Sequence, residues 1–325
     1  MKYYFAPMEG ITGHVYRNSY EKFFHNMDKY FTPFIIPNES RKLNTKELMD
    51  VLPENNKNIN IVPQILTDDS KGLIMTSRKL QKLGYDEINL NLGCPSGTVV
   101  GKGRGSGFLA RREELDKFLY EIFEKNDIKI SIKTRIGKDS PDEFYKLIEI
   151  YNKYPLEELI IHPRTTKDFY GNKPNLDIFK DGLSLSRNPV CYNGDIFTSE
   201  DYERLVNLFP DLKSVMLGRG ILANPGLMNE ILENKILDKK TIKSFHDEIL
   251  NSYMDIYPQD IGALFKMKEL WSYMIYIFSD CKEYLRNIRM SKNIKEYEEA
   301  VERLFIEQDI VKGLGKPMVN YNRLR

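Results

Sequence analysis

Short apolar runs, rich in β-branched and aromatic residues and bounded by turn formers, recur through the first two thirds of the chain. Eight of them read as strands, at residues 3–6, 31–36, 59–65, 87–90, 129–133, 159–161, 189–192 and 214–217. Most are separated by segments whose apolar residues recur at helical spacing, clearest at 72–83, 113–124, 142–151 and 199–208. Alternation of strand and helix implies parallel strands joined by crossover helices. Eight such units predict an α/β fold, a closed (β/α)8 or TIM barrel, in preference to an open doubly wound sheet. The second run is the least regular, because Pro33 has no N–H to give to a ladder. Beyond about Leu237 the period changes: helical spacing continues, for example at 264–278 and 294–305, and no strand is evident. The expected organisation is a barrel over residues 1–238 followed by a smaller all-α domain over residues 239–325.

Composition narrows the function. With 325 residues and 41% hydrophobic side chains, the chain is long enough for one large domain and a smaller one. Its 48 basic and 47 acidic residues leave a formal charge of +1, so any polyanion must be held by a local patch. Cys94, Cys191 and Cys281 are far apart, with neither CxxC nor metal-ligand spacing, which excludes a disulfide framework and a structural zinc site; no metal is expected. The N-terminus lacks the apolar stretch of a signal peptide, and the longest apolar run, 270–278, is far below the ~20 residues of a membrane span. A reducing cytoplasm is the expected compartment.

Barrel active sites are built at the C-terminal ends of the strands, so polar residues following each run are the candidates for chemistry. Pro7, Met8 and Glu9 follow the first run, Gln64 ends the third, and Asn91 and Cys94 follow the fourth. Lys133 and Arg135 close the fifth; His162, Arg164 and Thr165 follow the sixth. Asn193, Gly194 and Asp195 follow the seventh, and Gly218, Arg219 and Gly220 the eighth. The last two sets read as a phosphate cradle: glycine lets the backbone approach a ligand, and Arg219 adds a charge-assisted contact. Lys133 ends an apolar run and points into the barrel mouth, where an ammonium requires an anion, either a salt-bridge partner or negative charge developing on a ring. Cys94 differs from Cys191 and Cys281, which are expected to be buried structural thiols; it lies in a turn of Gly, Pro and Ser. A thiol of ordinary pKa, about 8.5, serves as a general acid at neutral pH, whereas nucleophilic use needs an activating base; the sequence leaves both open.

Together these segments resemble the tRNA-dihydrouridine synthase family: residues 6–12 (APMEGIT), 91–95 (NLGCP), the glycine-rich 101–107, 132–137 (IKTRIG), 162–165 (HPRT), 193–195 (NGD) and 218–220 (GRG), in that order, with 268–271 (KELW) in the tail. The resemblance implies an FMN-binding barrel followed by a helical tRNA-recognition domain. It implies reduction of the C5–C6 double bond of a uridine in tRNA to dihydrouridine, with NADPH as reductant. Hydride would pass from flavin N5 to uracil C6, and Cys94 would protonate C5. Pro7 and Met8 would border the flavin ring, Gln64 would bond its edge, Lys133 would face its N1/O2 side and His162 would help to seat it. Asn193, Gly194, Asp195, Gly218 and Arg219 would hold ribityl and phosphate. Asn91, Lys102, Arg104 and Arg164 are the expected substrate contacts, because a uridine must be flipped out of its stack and its RNA gripped nearby. The loop 99–105 carries two cations and no acid, and the tail has basic clusters at Lys239, Lys240 and Lys243 and at Arg286, Arg289, Lys292 and Lys295. Three places depart from the family pattern near the substrate mouth: Gly13 stands where an acid is frequent, Pro163 where Gly or Ala is common, and 32–34 lacks an acid. A monomer without a protein partner is expected. The competing readings are an FMN barrel reductase of a free pyrimidine or other small molecule, and a non-catalytic RNA chaperone.

Overall fold

A computed structural model describes residues 1–38, 43–257 and 259–312. Nine strand segments form one sheet: β1 (Lys2–Phe5), β2 (Lys29–Phe31), β3 (Ile61–Val62), β4 (Gln64–Ile65), β5 (Glu87–Leu92), β6 (Lys129–Gly137), β7 (Leu159–Thr165), β8 (Val190–Tyr192) and β9 (Ser214–Leu217). Their order is β3-β2-β1-β9-β8-β7-β6-β5-β4, and every pair between strands is parallel. β3 and β4 are halves of one strand interrupted at Pro63, which has no N–H for the ladder. β3 pairs with β2 and β4 with β5, while Pro63 O accepts from Asn89 N at 2.9 Å. The two ends of the sheet meet there, and the barrel closes.

The second strand lies earlier than its expected position at 31–36. It ends at Phe31, and the chain leaves through Pro33 and touches the sheet again at an Ile35–Ile65 bridge. β5, β6 and β7 run past their apolar stretches, because the polar residues that end those stretches face the lumen, not solvent. The proline in β7 is taken up by a register shift: Arg135 pairs with His162 but Gly137 with Thr165, one residue more on β7 than on β6.

The lumen is divided. Tyr4, Ala6, Phe31, Val62, Ile160, Cys191 and Met216 form an apolar cluster of their own. The wall of β4, β5 and β6 is polar and buried, with Gln64, Asn89, Asn91 and Ser131 inside. A larger apolar core packs the helices outside the barrel and continues into the C-terminal helices.

Those helices are Lys239–Ile256, Asp260–Met274, Lys282–Met290 and Ile294–Glu307. The first starts where Asp238 Oδ1 accepts from Thr241 N at 2.7 Å, an N-cap. Its Phe245 inserts among Tyr16, Tyr20, Phe23 and Phe24 of the helix His14–Phe24, with ring centroids at 5.6, 6.4, 5.7 and 5.2 Å. The second helix reaches the barrel rim, where Lys266 Nζ donates to Gly10 O at 2.5 Å. Buried Trp271 ties it to the last helix by donating from Nε1 to Tyr297 Oη at 2.7 Å. Among the described residues, no helix is long and apolar enough to cross a membrane.

Phe245 therefore couples the tail to the barrel. Phe245→Ala is expected to lower stability by about 3–5 kcal/mol, the cost of truncating a buried phenylalanine. Urea unfolding measures the loss, and limited proteolysis should then cut near residue 238.

Candidate active site

The chain leaving β1 forms a compact turn at the rim. Ile11 N and Thr12 N both donate to Met8 O at 3.0 Å, and Met8 N donates to Thr12 Oγ1 at 2.8 Å. Gly10 takes φ 86°, a left-handed conformation that glycine adopts without strain. Pro7 and Met8 are thereby held at the mouth of a cavity of about 510 Å³. Beside this turn Gly13 leaves room for Asp50, whose Oδ1 accepts from His14 N at 2.7 Å. The carboxylate absent at position 13 is supplied to the helix start from another segment.

Pro7, Met8, Gln64, Asn91, Cys94, Lys133, His162 and Arg219 all line this one cavity. A narrower lobe of about 60 Å³ shares Lys133, His162 and Arg219 with it and adds Asn193, Gly194, Gly218 and Gly220. Residues from six strand ends, spread over two hundred positions, thus share one hollow. Arg135, Phe169, Tyr170, Glu269 and Tyr273 are also part of its wall.

Cys94 is partly buried. Its turn is fixed from three sides: Asn91 Oδ1 accepts from Gly93 N and Cys94 N at 3.0 and 2.9 Å, Arg135 Nε donates to Gly93 O at 2.9 Å, and Ser106 donates from N and Oγ to Cys94 O at 3.1 and 2.9 Å. Burial pushes the thiol above its ordinary pKa, against the opposing effects of the Ser96 amide and the Arg135 and Lys133 charges. A thiol raised in this way is protonated at neutral pH, which favours the proton-donor role over the nucleophile.

The adjoining wall is cationic. Among the described residues Lys133 Nζ has no hydrogen-bond or ion-pair partner. Burial, reinforced by the Arg135 charge, pushes its pKa down to about 8. Burial and the charges of Arg135 and Lys133 drive His162 well below its usual value, so the imidazole is neutral. Arg164 Nη1 lies 3.0 Å from His162 Nε2. Since arginine only donates, Nε2 accepts and the ring proton sits on Nδ1. An unpartnered ammonium among cations is the environment an anionic ligand would satisfy.

The cradle is built indirectly. Asp195 lies behind the lobe, and its carboxylate accepts from Arg164 at 2.9 and 2.6 Å and from Arg219 at 2.5 Å. It orients the arginines, and like charge sets it against a phosphate. Arg219 also stacks on Tyr170, with Cζ 4.3 Å from the ring centroid. Asn193 is anchored by donating to Met216 O at 2.8 Å. A side chain on Gly194 would strike Tyr192 Oη at 2.0 Å, and one on Gly220 would strike Ile196 O at 2.0 Å, so both positions demand glycine.

Two expected substrate contacts sit differently from their expected places. Arg164 is 1% exposed, and it is held by Asp195 and by Asn172 O, at 2.6 Å from Nε; it cannot reach an RNA from there. Arg104 lies in a loop without an acid of its own, but Asp68 from the segment after β4 pairs with its Nε at 3.0 Å and with Arg111 at 3.0 Å. Lys102 is exposed. In the tail, Lys239 pairs with Asp309 at 2.9 Å and Lys243 with Asp247 at 2.7 Å, which weakens that basic cluster. Cys281 is partly exposed at a helix start, while Cys191 is buried in the lumen.

Sequence reasoning missed Glu269 and Tyr273, which reach the cavity from the helix Asp260–Met274 one turn apart. It also missed the structural part of Arg135, which donates to Gly93 O, Thr165 O and Phe169 O at 2.9, 2.7 and 2.8 Å and so joins the loops after β5 and β7. The signal for the first was the tail segment 268–271, whose Lys268 and Trp271 turn inward, to Ser291 O and Tyr297, while Glu269 faces the barrel rim beside Gly10.

Comparison with known proteins identifies the family. The family described as dihydrouridine synthase (Dus) matches residues 4–312. The tRNA-dihydrouridine(16) synthase of Vibrio vulnificus (strain CMCP6) is 24% identical over 324 residues, which cover 94% of this chain and 96% of that protein. A probable tRNA-dihydrouridine synthase of Staphylococcus aureus (strain MRSA252) is 26% identical over 264 residues, 76% of this chain and 77% of its own. Among solved structures, histamine dehydrogenase from Rhizobium sp. 4-9 has a TM-score of 0.55 at 12% identity, covering 83% of this chain and 49% of that one. TcOYE with pHBA has a TM-score of 0.53 at 10% identity, covering 78% and 94%. At these identities the structural likeness is one of fold. The chain belongs to the dihydrouridine synthase family.

Proposed function

We propose that the cavity holds FMN and that the protein uses NADPH to reduce the C5–C6 double bond of a uridine in tRNA, with Cys94 as the proton donor. The observation that carries this reading is the convergence, in one cavity of about 510 Å³, of the Cys94 thiol and the Lys133 ammonium, which has no partner among the described residues, from different strands. When bound, the flavin supplies hydride to the uracil ring, and NADPH, as the source of that hydride, is oxidised to NADP⁺.

The protein's own residues supply the rest. Cys94 gives its proton to C5, and the resulting thiolate lies where the Arg135 and Lys133 charges favour it until solvent returns a proton. Lys133 offers its ammonium to negative charge on the cofactor ring, and neutral His162 offers Nδ1–H as a donor. Arg219, oriented by Asp195 and Tyr170, faces the lobe suited in position to phosphate, with Asn193, Gly194 and Gly218 around it. Arg164 acts through Asp195 and His162. Pro7 and Met8 bound the space for the ring, and Gln64 and Asn91 close its floor. Residues 1–238 would then carry the chemistry, and residues 239–325 would recognise tRNA while lending Glu269 and Tyr273 to the cavity. Exposed Lys102, beside the Cys94 turn, is a suitable contact for the RNA backbone.

Reaction of the NADPH-reduced enzyme with unmodified tRNA and with free uridine tests the substrate class: tRNA should reoxidise the enzyme faster, and preference for the nucleoside would point to a small-molecule reductase. Cys94→Ala should retain FMN and NADPH oxidation but slow uridine reduction about 100-fold or more, the usual contribution of a general acid; stopped-flow reoxidation by tRNA measures it. Arg219→Ala should weaken FMN binding at least tenfold, by flavin fluorescence titration. Lys133 loses its charge as pH rises through about 8. An anionic cofactor favours the ammonium, so FMN affinity should be level below that pH and fall by up to tenfold per unit above it. In Lys133→Met the affinity should be weaker and this fall absent.

A further inference from the structure

Below the cavity, the polar wall of the lumen carries a row of hydrogen bonds from the bottom of the barrel to the Cys94 turn. Lys29 Nζ donates to Glu87 Oε2 at 2.5 Å, and Ser131 Oγ donates to Glu87 Oε1 at 2.8 Å. Asn89 Nδ2 donates to Ser131 Oγ at 3.0 Å, and Gln64 Nε2 donates to Asn89 Oδ1 at 2.8 Å. Asn91 Nδ2 donates to Gln64 Oε1 at 2.7 Å, which turns Asn91 Oδ1 to the N–H groups of Gly93 and Cys94. The strand pattern puts these residues together. Glu87, Asn89 and Asn91 alternate on one face of β5, and register pairs Asn89 with Gln64 on one side and Ser131 on the other.

The row has a single sense, and its lower end determines it. A carboxylate in an ion pair has only lone pairs to offer. Ser131 has one hydroxyl proton, and its acceptors are Glu87 Oε1 and, at 3.3 Å, Ile88 O. Either way the oxygen shows Asn89 only a lone pair. Asn89 must then turn its NH2 to Ser131 and its oxygen to Gln64, and the same logic passes through Gln64 to Asn91. Flipping any one amide sets donor against donor, and at the top it would set an NH2 against two backbone N–H groups. Gln64, Asn89 and Ser131 are fully buried, so water cannot repair a mismatch.

We propose that Ser131 and Glu87 are positioning residues for Cys94, acting through Asn89, Gln64 and Asn91 over about 13 Å of strand, at ~3.3 Å per residue. Their effect on catalysis rests on the reading of Cys94 as the proton donor; their effect on the turn does not. Within the holoenzyme, Ser131→Ala removes the acceptor that orients Asn89. Amide hydrogen exchange at Gly93 and Cys94 should quicken about fivefold, roughly the worth of one hydrogen bond, with neighbouring β5 and β6 amides unchanged. Single-turnover uridine reduction should slow by a similar factor, with the Kd for tRNA and the rate of flavin reduction by NADPH within twofold of wild type. Ser131→Thr, which keeps the hydroxyl, should restore both. Should Ser131→Ala not fold, Asn89→Leu gives a second test: it removes the oxygen that orients the Gln64 amide, and exchange at the turn should quicken. Wild-type exchange at Gly93 and Cys94 in both single variants, or equal quickening along all of β5 and β6, overturns the proposal. Quickened exchange with an unaltered rate of uridine reduction leaves the positioning in place and overturns the proton-donor reading instead.

Discussion

The structure depends on confining positive charge at one end of a closed barrel. Lys133, Arg135, Arg164 and Arg219 approach one another across β6, β7 and the start of the helix Arg219–Ala223. Charges removed from water need partners. Asp195 answers Arg164 and Arg219, and backbone carbonyls answer Arg135, but Lys133 is left facing the cavity. That imbalance suits an anionic cofactor, and it adds to the burial that lowers the pKa of His162.

Against this cationic wall stands a neutral polar one. Gln64, Asn89, Asn91 and Ser131 are buried with their hydrogen bonds made to one another, so the wall is rigid without contributing charge. Cys94 sits where the two walls meet: Asn91 holds its amide and Arg135 holds the preceding carbonyl. The thiol is therefore placed by both walls while burial keeps its proton on.

The tail is more than an appendage. Phe245 locks the helix Lys239–Ile256 onto the helix His14–Phe24, and Lys266 bonds the rim turn that carries Met8. The same docking brings Glu269 and Tyr273 to the cavity. The cavity beside Cys94 is thus lined by groups from both parts of the chain.

The order of strands and helices was legible in the sequence, because local period and turn residues are properties of short segments. So was the set of polar residues at strand ends, since a Lys, His or Cys closing an apolar run stands out without knowledge of its neighbours. Strand lengths were not: β6 and β7 continue past Lys133 and His162 because a barrel lumen buries polar groups that an apolar criterion assigns to loops. Partners were not legible either. That Asp195 serves the arginines, that Asp68 answers Arg104 and that Arg164 is enclosed all follow from segments tens of residues apart, and only closure of the barrel brings them within hydrogen-bond reach. The sequence by itself determined which chemical groups gather at the rim; the tertiary structure decided which of them touch, which way each amide points and hence whether the thiol keeps its proton.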